Sequence, residues 1–198
     1  MTSTLAVVDI CNFALRNAQA PLIESLDEDS ESAIECNLRY EQARDVCLTL
    51  CWWGFAKKIV TLAEMSSNTG EWDYAYQYPA DCLQARYIVN PLGRNAFPAI
   101  KFEIVGDEIH TNESSAKLAY TKLITDTTRF PTLFVDALSW RLAMDVIPGI
   151  SGARQQRDEA EKYFEKFMTI ARASDGNEGR IDSVFDVDTR DADWVTAR

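Results

Sequence analysis

Ser30 to Lys58 reads SESAIECNLRYEQARDVCLTLCWWGFAKK. From Ala33 an apolar or small residue recurs at Cys36, Tyr40, Ala43, Cys47 and Leu50. Steps of three and four place all six on one face of a helix with 3.6 residues per turn. Glu35, Arg39, Gln42 and Asp45 fall largely on the other side. Trp52, Trp53 and Phe55 follow within four residues. Each such ring can bury about 150–250 Å², and no other part of the chain concentrates as much buriable surface. The stretch predicts one long central amphipathic helix that runs into an aromatic plug, and the other elements must supply the surface against which both pack.

The chain has 198 residues, enough for one good core with a small subdomain or a long tail. Its net charge is −11 and its pI is near 4.6. That charge repels the phosphates of nucleic acid and argues against binding by wrapping DNA. Five cysteines, at 11, 36, 47, 51 and 82, form no CxxC, and one histidine supplies no partner set for zinc. Cys47 and Cys51 stand one helical turn apart, but buried thiols in a reducing compartment account for all five. The N-terminus has no basic region before its apolar run and carries Asp9 within it, so it reads as a helix and not a signal peptide. No apolar run approaches the roughly 20 residues that span a bilayer. Synthesis in the cytosol, no membrane partner and no cofactor are the expectations.

Outward from the central stretch, a first helix is expected over 4–19, capped by Thr4 and stopped by Ala20-Pro21. Ser30 or Asp29 caps the second helix, 30–51, behind Asp27, Glu28 and Glu31. Acids spaced like Asp27, Asp29 and Glu31 suggest a calcium loop, but Ser32 and Leu38 stand where that loop needs Gly and Glu. After Gly54 the period changes to two. Strands are expected at Phe55–Leu62, Tyr74–Tyr78, Cys82–Val89, Ile100–Val105, Glu108–Thr111 and Lys117–Ile124, with Gly106-Asp107 as a hairpin turn and 63–73 as a loop. Pro131 suits a first helical turn. Leu133, Ala137, Trp140, Met144 and Ile147 then mark a third helix, ended by Pro148-Gly149. Ala160, Phe164, Phe167 and Ala171 mark a fourth, fading at Ser174-Asp175-Gly176. The expected fold is mainly α: a four-helix bundle with a small antiparallel β insertion and an extended C-terminal tail. The boundaries are 1–54 for the first helical pair, 55–125 for the β insertion, 126–175 for the second pair and 176–198 for the tail. The structural core is expected to contain Tyr40, Cys47, Leu50, Trp53, Phe55, Trp140, Phe164 and Phe167.

Chemistry-bearing motifs are scarce. There is no Walker A loop, GxGxxG, GxSxG or HExxH. His110 reads as a strand-end surface residue with no visible nucleophile beside it. No catalytic, cofactor-binding or metal-binding residue is assigned, and the chain is not expected to be an enzyme. The tail is more informative. Residues 175–198 carry seven acids against three arginines, yet hold Ile181, Val184, Phe185, Val187 and Trp194. Two readings stay open on composition: a solvated acidic tail, or an extended peptide whose aromatics dock on a partner.

Several stretches together resemble the head–tail adaptor proteins of short-tailed bacteriophages, also called tail tubular protein A or head completion protein. They are VDICNFALRNAQAPLIESLDEDS at 8–30, the run from Tyr40–Arg44 to Trp53-Gly54-Phe55-Ala56, YQYPADCL at 76–83, and Phe130–Asp175 with ARASDG at its end. They follow family order over most of 5–175. The resemblance implies a structural protein of the virion neck that binds the portal protein as a twelve-fold ring. Such a ring extends the channel, lets viral DNA pass without specific binding, and carries a tail nozzle protein similar to tail tubular protein B. It also implies that the C-terminal extension reaches along the portal; the tail after 176 matches the family only in character, and its own apolar and arginine residues Ile181, Val184, Phe185, Val187, Arg190, Trp194 and Arg198 are the candidate contacts with the portal or a neighbour. Two other classes remain: a virion-associated carbohydrate or peptidoglycan hydrolase using the acids, and a generic binding module.

Overall fold

The computed structural model describes residues 5–65, 70–93, 98–151 and 153–178. These described residues form four helices: α1 (Val7–Asn17), α2 (Glu31–Leu50), α3 (Thr132–Ile150) and α4 (Arg154–Glu178). Between α2 and α3 the described residues form seven strands: β1 (Lys57–Thr61), β2 (Glu64–Met65), β3 (Tyr74–Gln77), β4 (Cys82–Ile88), β5 (Phe102–Val105), β6 (Glu108–Thr111) and β7 (Lys117–Lys122).

The strands pair antiparallel throughout, as a three-stranded sheet ordered β1-β7-β4 and a four-stranded sheet ordered β2-β3-β6-β5. The chain passes from β1 to β2 with Leu62 N–H donating to Ala116 and Gln77 N–H donating to Ala63. One bent extended segment thus serves both sheets. The sheets share an apolar core of Leu62, Tyr76, Ile88, Ile109, Ala116, Leu118 and Tyr120. Tyr76 is completely buried, its hydroxyl donating to Glu113 O at 2.8 Å and accepting from Ala116 N at 3.3 Å. Gly106, at φ +59°, makes the β5–β6 turn.

The expected mainly α bundle with a β appendage is therefore overturned. The described residues are 49% helical and 19% strand, an α/β mixture of four helices and two antiparallel sheets. The physical reason is the second core. The strands bury apolar surface against each other and form a unit with its own interior.

The helices are not arranged around α2 either. α3 is the central element, with α1, α2 and α4 each packed on it, while α1 and α2 barely meet. Ten of the nineteen α3 residues are buried, from Phe134 round to Ile147. Such a helix is apolar over most of its circumference and needs neighbours on several sides. α2, by contrast, buries Ala33, Cys36, Tyr40, Ala43 and Cys47 but leaves Ile34, Leu38 and Leu50 outside.

Element ends follow local chemistry. Ser30 Oγ accepts from Ala33 N–H at 3.2 Å, as a cap should. α1 begins at Val7, where Asp9 accepts from Ala6 N–H at 2.8 Å; Thr4, the expected cap, lies outside the described residues. α3 runs past Pro148 to Ile150, because a proline in the last turn forfeits only one ladder bond. α4 continues through Gly176 to Glu178.

Candidate functional site: the helix–sheet junction

The aromatic plug lies where α2 gives way to the sheets. The Trp53 indole is buried and donates from Nε1 to Cys47 O at 2.8 Å, closing the last turn of α2. Its ring meets Phe134 edge-on at 5.2 Å, and Phe55, Phe130 and Phe134 continue the cluster at centroid spacings of 5.0 to 6.1 Å. These tilted and edge-to-face contacts suit the ring quadrupoles. The plug thus fixes the end of α2 to the start of α3.

Three long-range polar ties cross the same junction. Arg86 of β4 donates from Nη2 to Thr49 O and Cys51 O, each at 3.0 Å, and from Nε to Thr121 Oγ1 at 2.9 Å. A guanidinium on the carbonyls at a helix C-terminus satisfies orphan acceptors and complements the dipole. Arg129 donates to Phe55 O at 3.3 Å. Asp175, near the end of α4, accepts from Gly54 N–H with both carboxylate oxygens, at 2.9 and 3.1 Å. Beside that contact is a cleft of about 220 Å³, lined by Trp53, Phe134, Ala171, Ser174, Asp175 and Glu178 among others. The C-terminal segment therefore leaves the described structure beside the plug.

A second polar centre lies on the sheets. Asp81, in the turn between β3 and β4, accepts from Lys58 Nζ at 2.7 Å and from Tyr120 Oη at 2.6 Å, with Lys122 Nζ at 3.6 Å. Burial alone raises the Asp81 pKa, but Lys58, Tyr120 and Lys122 outweigh it and hold the carboxyl below its ordinary value. Burial, then the Asp81 contact, raises the Tyr120 phenol. The cluster locks β1, β7 and the Tyr-Pro-Ala-Asp turn together.

Of the expected core residues, Tyr40, Cys47 and Trp53 are buried, and Phe55, Trp140, Phe164 and Phe167 are half-buried against the helical core. Leu50 is a correction: it is 51% exposed, because α2 ends there and the plug, rather than Leu50, fills the space beneath. Trp140 stacks on Tyr163 at 4.5 Å, so it covers α4 at the surface. The tail candidates Ile181, Val184, Phe185, Val187, Arg190, Trp194 and Arg198 lie outside the described residues. His110 is also a correction. It is 1% exposed and sits 3.0 Å from Glu108, on an inner strand where Ala75 of β3 and Glu103 of β5 are its register neighbours. Arg86 and Asp175 were not anticipated at the junction, nor Asp81 at the polar centre on the sheets. The Tyr-Pro-x-Asp run was the one available signal, and only for Asp81.

All five cysteines are free thiols. Among the described residues no group of three His, Cys, Asp or Glu side chains is arranged to hold a metal, and no helix is long and apolar enough to cross a membrane. No protein-family model matches the chain, and no curated protein matches it in sequence.

Proposed function

We propose that this protein is a head-to-tail adaptor of a short-tailed phage virion, a structural ring component that binds the portal, extends the DNA channel and carries the nozzle. The observation that carries the reading is the junction. Trp53, Phe55, Arg86 and Asp175 hold a helical unit, a sheet unit and the root of the C-terminal segment at one point. A wall element with two protruding parts suits a connector that must touch different neighbours at its two ends. The acidic surface suits a channel along which DNA slides. The aromatics and arginines of 181–198 supply anchors for the portal. The test is co-expression with the portal protein of the same phage genome, followed by electron microscopy of the complex. Ring-shaped density on the portal is expected, and deletion of 180–198 is expected to weaken binding severely. Full-length protein that never associates with the portal overturns the reading; unchanged binding of the truncated chain overturns the role of the tail.

A second reading keeps one specific observation. The cleft beside Trp53 carries two carboxylates, Asp175 and Glu178, so hydrolysis of a cell-wall glycan has a candidate place. Asp175 already receives the Gly54 amide with both oxygens, which favours a structural role. Turnover of peptidoglycan by pure protein, abolished by Glu178→Gln, is the result that would favour the enzyme.

A further inference from the structure

The cleft beside the plug has two walls of different chemistry. One is the last turns of α4, with Ala171, Ser174, Asp175 and Glu178; the other is the first turn of α3, from Pro131 to Phe134. Trp53, Leu133, Phe134 and Ala171 give it an apolar lining. Its volume is about 220 Å³, and an apolar cavity of about 150 Å³ is enough to hold benzene. The α3 wall also offers donors that no carbonyl of α3 accepts. The N-cap residue there is Pro131, which has no side-chain oxygen. The first bond of the helix ladder is Val135 N–H to Pro131 O at 3.0 Å, so the amides of Thr132, Leu133 and Phe134 precede it. A turn of that kind favours a carboxylate.

Where the chain goes next decides what can fill the cleft. The described structure ends at Glu178, on the cleft wall, and residues 179–198 follow. Gly179 comes directly after the last helical residue, where glycine most readily lets a chain reverse. The wall from Ala171 to Glu178 is about 10 Å of helix. A reversal of about four residues and about three extended ones return the chain over that length, which brings 184–186 to the cleft. Those residues are Val184, Phe185 and Asp186. They supply an aromatic ring for the apolar slot, followed by a carboxylate for the uncapped turn. A tether this short gives an effective concentration on the order of millimolar, which favours the chain's own segment over that of a second copy.

We infer that in the free protein Phe185 seats in the cleft of its own chain, among Trp53, Leu133 and Ala171, and that Asp186 accepts from the first-turn amides of α3. The contact belongs to the free chain and does not depend on the adaptor reading.

The experiment follows amide exchange by NMR in ¹⁵N-labelled full-length protein, comparing the parent with Phe185→Ala, Asp186→Ala and Trp194→Ala. Phe185→Ala and Asp186→Ala are each expected to speed exchange at Leu133 and Phe134 by about tenfold. Leu138 and Leu142, deeper in α3, are expected to keep the parent rate. Trp194→Ala, beyond the seat, is expected to behave as the parent does. Diluting the parent about tenfold is expected to leave the rates unchanged, since the contact lies within one chain. Parent rates equal to those of Phe185→Ala and Asp186→Ala overturn the inference. So does protection that fades on dilution, which would mean that another copy's segment fills the cleft, and so does equal acceleration at Leu138 and Leu142, which would mean a loss of the helix rather than of a seat. Rings on the portal from a protein whose first-turn amides are already fast when free leave the adaptor reading standing while this contact falls. Slow first-turn amides in a protein that never binds portal leave the contact standing while the adaptor reading falls.

Discussion

At the scale of single residues, charge and burial make separable predictions. Asp81 is partly exposed, so solvent screens its ties to Lys58 and Tyr120 and their contribution is modest. Asp81→Asn is expected to lower the urea midpoint at pH 7 accordingly. The sign with pH follows from the depressed pKa. A carboxyl held below its unfolded value adds stability above that value and loses it as pH falls through the folded one. The gap between parent and Asp81→Asn should therefore narrow as pH drops below the ordinary aspartate value of about 3.9; a gap that persists at pH 2 contradicts the assignment. The thiols give a second test. Burial pushes Cys47 up to about 12, and also raises Cys51 and Cys82. Cys11 is raised chiefly by its hydrogen bond with Cys36 and then by burial. Thiolate is the reactive form. With Ellman's reagent at pH 8, the native protein should release colour slowly from the half-buried Cys51 and Cys82, and yield five equivalents only when unfolded. Rapid reaction of three or more thiols in the native state is the contrary result.

At the scale of elements, the attachment of α4 to the plug is the contact to break. Asp175→Ala removes both acceptors of Gly54 N–H and leaves the α4–α3 packing in place. Global stability should fall by about 1 kcal/mol. Hydrogen exchange at Gly54 should accelerate, while the buried amides around Leu138 and Leu142 stay protected. Equal acceleration at all these sites would show that Asp175 holds the whole helix layer. Gly149 illustrates how tightly the helices approach. A Cβ there would lie 2.2 Å from the Glu35 side chain, so alanine must displace that carboxylate from Arg39.

At the scale of the whole molecule, the two interiors can respond independently. The helical core and the core shared by the sheets are separate clusters, joined through the plug and Arg86. Tyr76→Ala should cost about 3–5 kcal/mol in the sheet unit. It should raise exchange in β3, β6 and β7 far more than in α3. Uniform exchange across both units would mean that the junction couples them into one cooperative body.

Much of the local structure was legible in the sequence. The change from a period of three and four to a period of two at Gly54 located the helix-to-strand boundary, since alternation and helical spacing arise from backbone geometry. Gly106-Asp107 gave its hairpin because glycine takes a positive φ without a steric penalty. Ser30 gave its cap for an equally local reason. What lay beyond reach depended on non-local partners. α2 looked central because small and apolar residues recur along it at steps of three and four and lead into the aromatic plug, yet Ile34, Leu38 and Leu50 lie off the buried face; α3 is central because its apolar surface runs nearly all round. His110 looked exposed because its place at a strand end carries no sign that β6 is an inner strand, paired with β3 and β5, on which it is buried. Arg86 and Asp175 are ordinary charged residues in sequence; they become junction residues because the fold brings them to Cys51 and Gly54, 35 and 121 positions away. Sequence determined where the chain turns helical or extended, through local sterics and hydrogen bonding. Tertiary structure decided which helix is central, that the strands enclose a core of their own, and which surfaces remain uncovered, because each depends on surfaces meeting from distant parts of the chain.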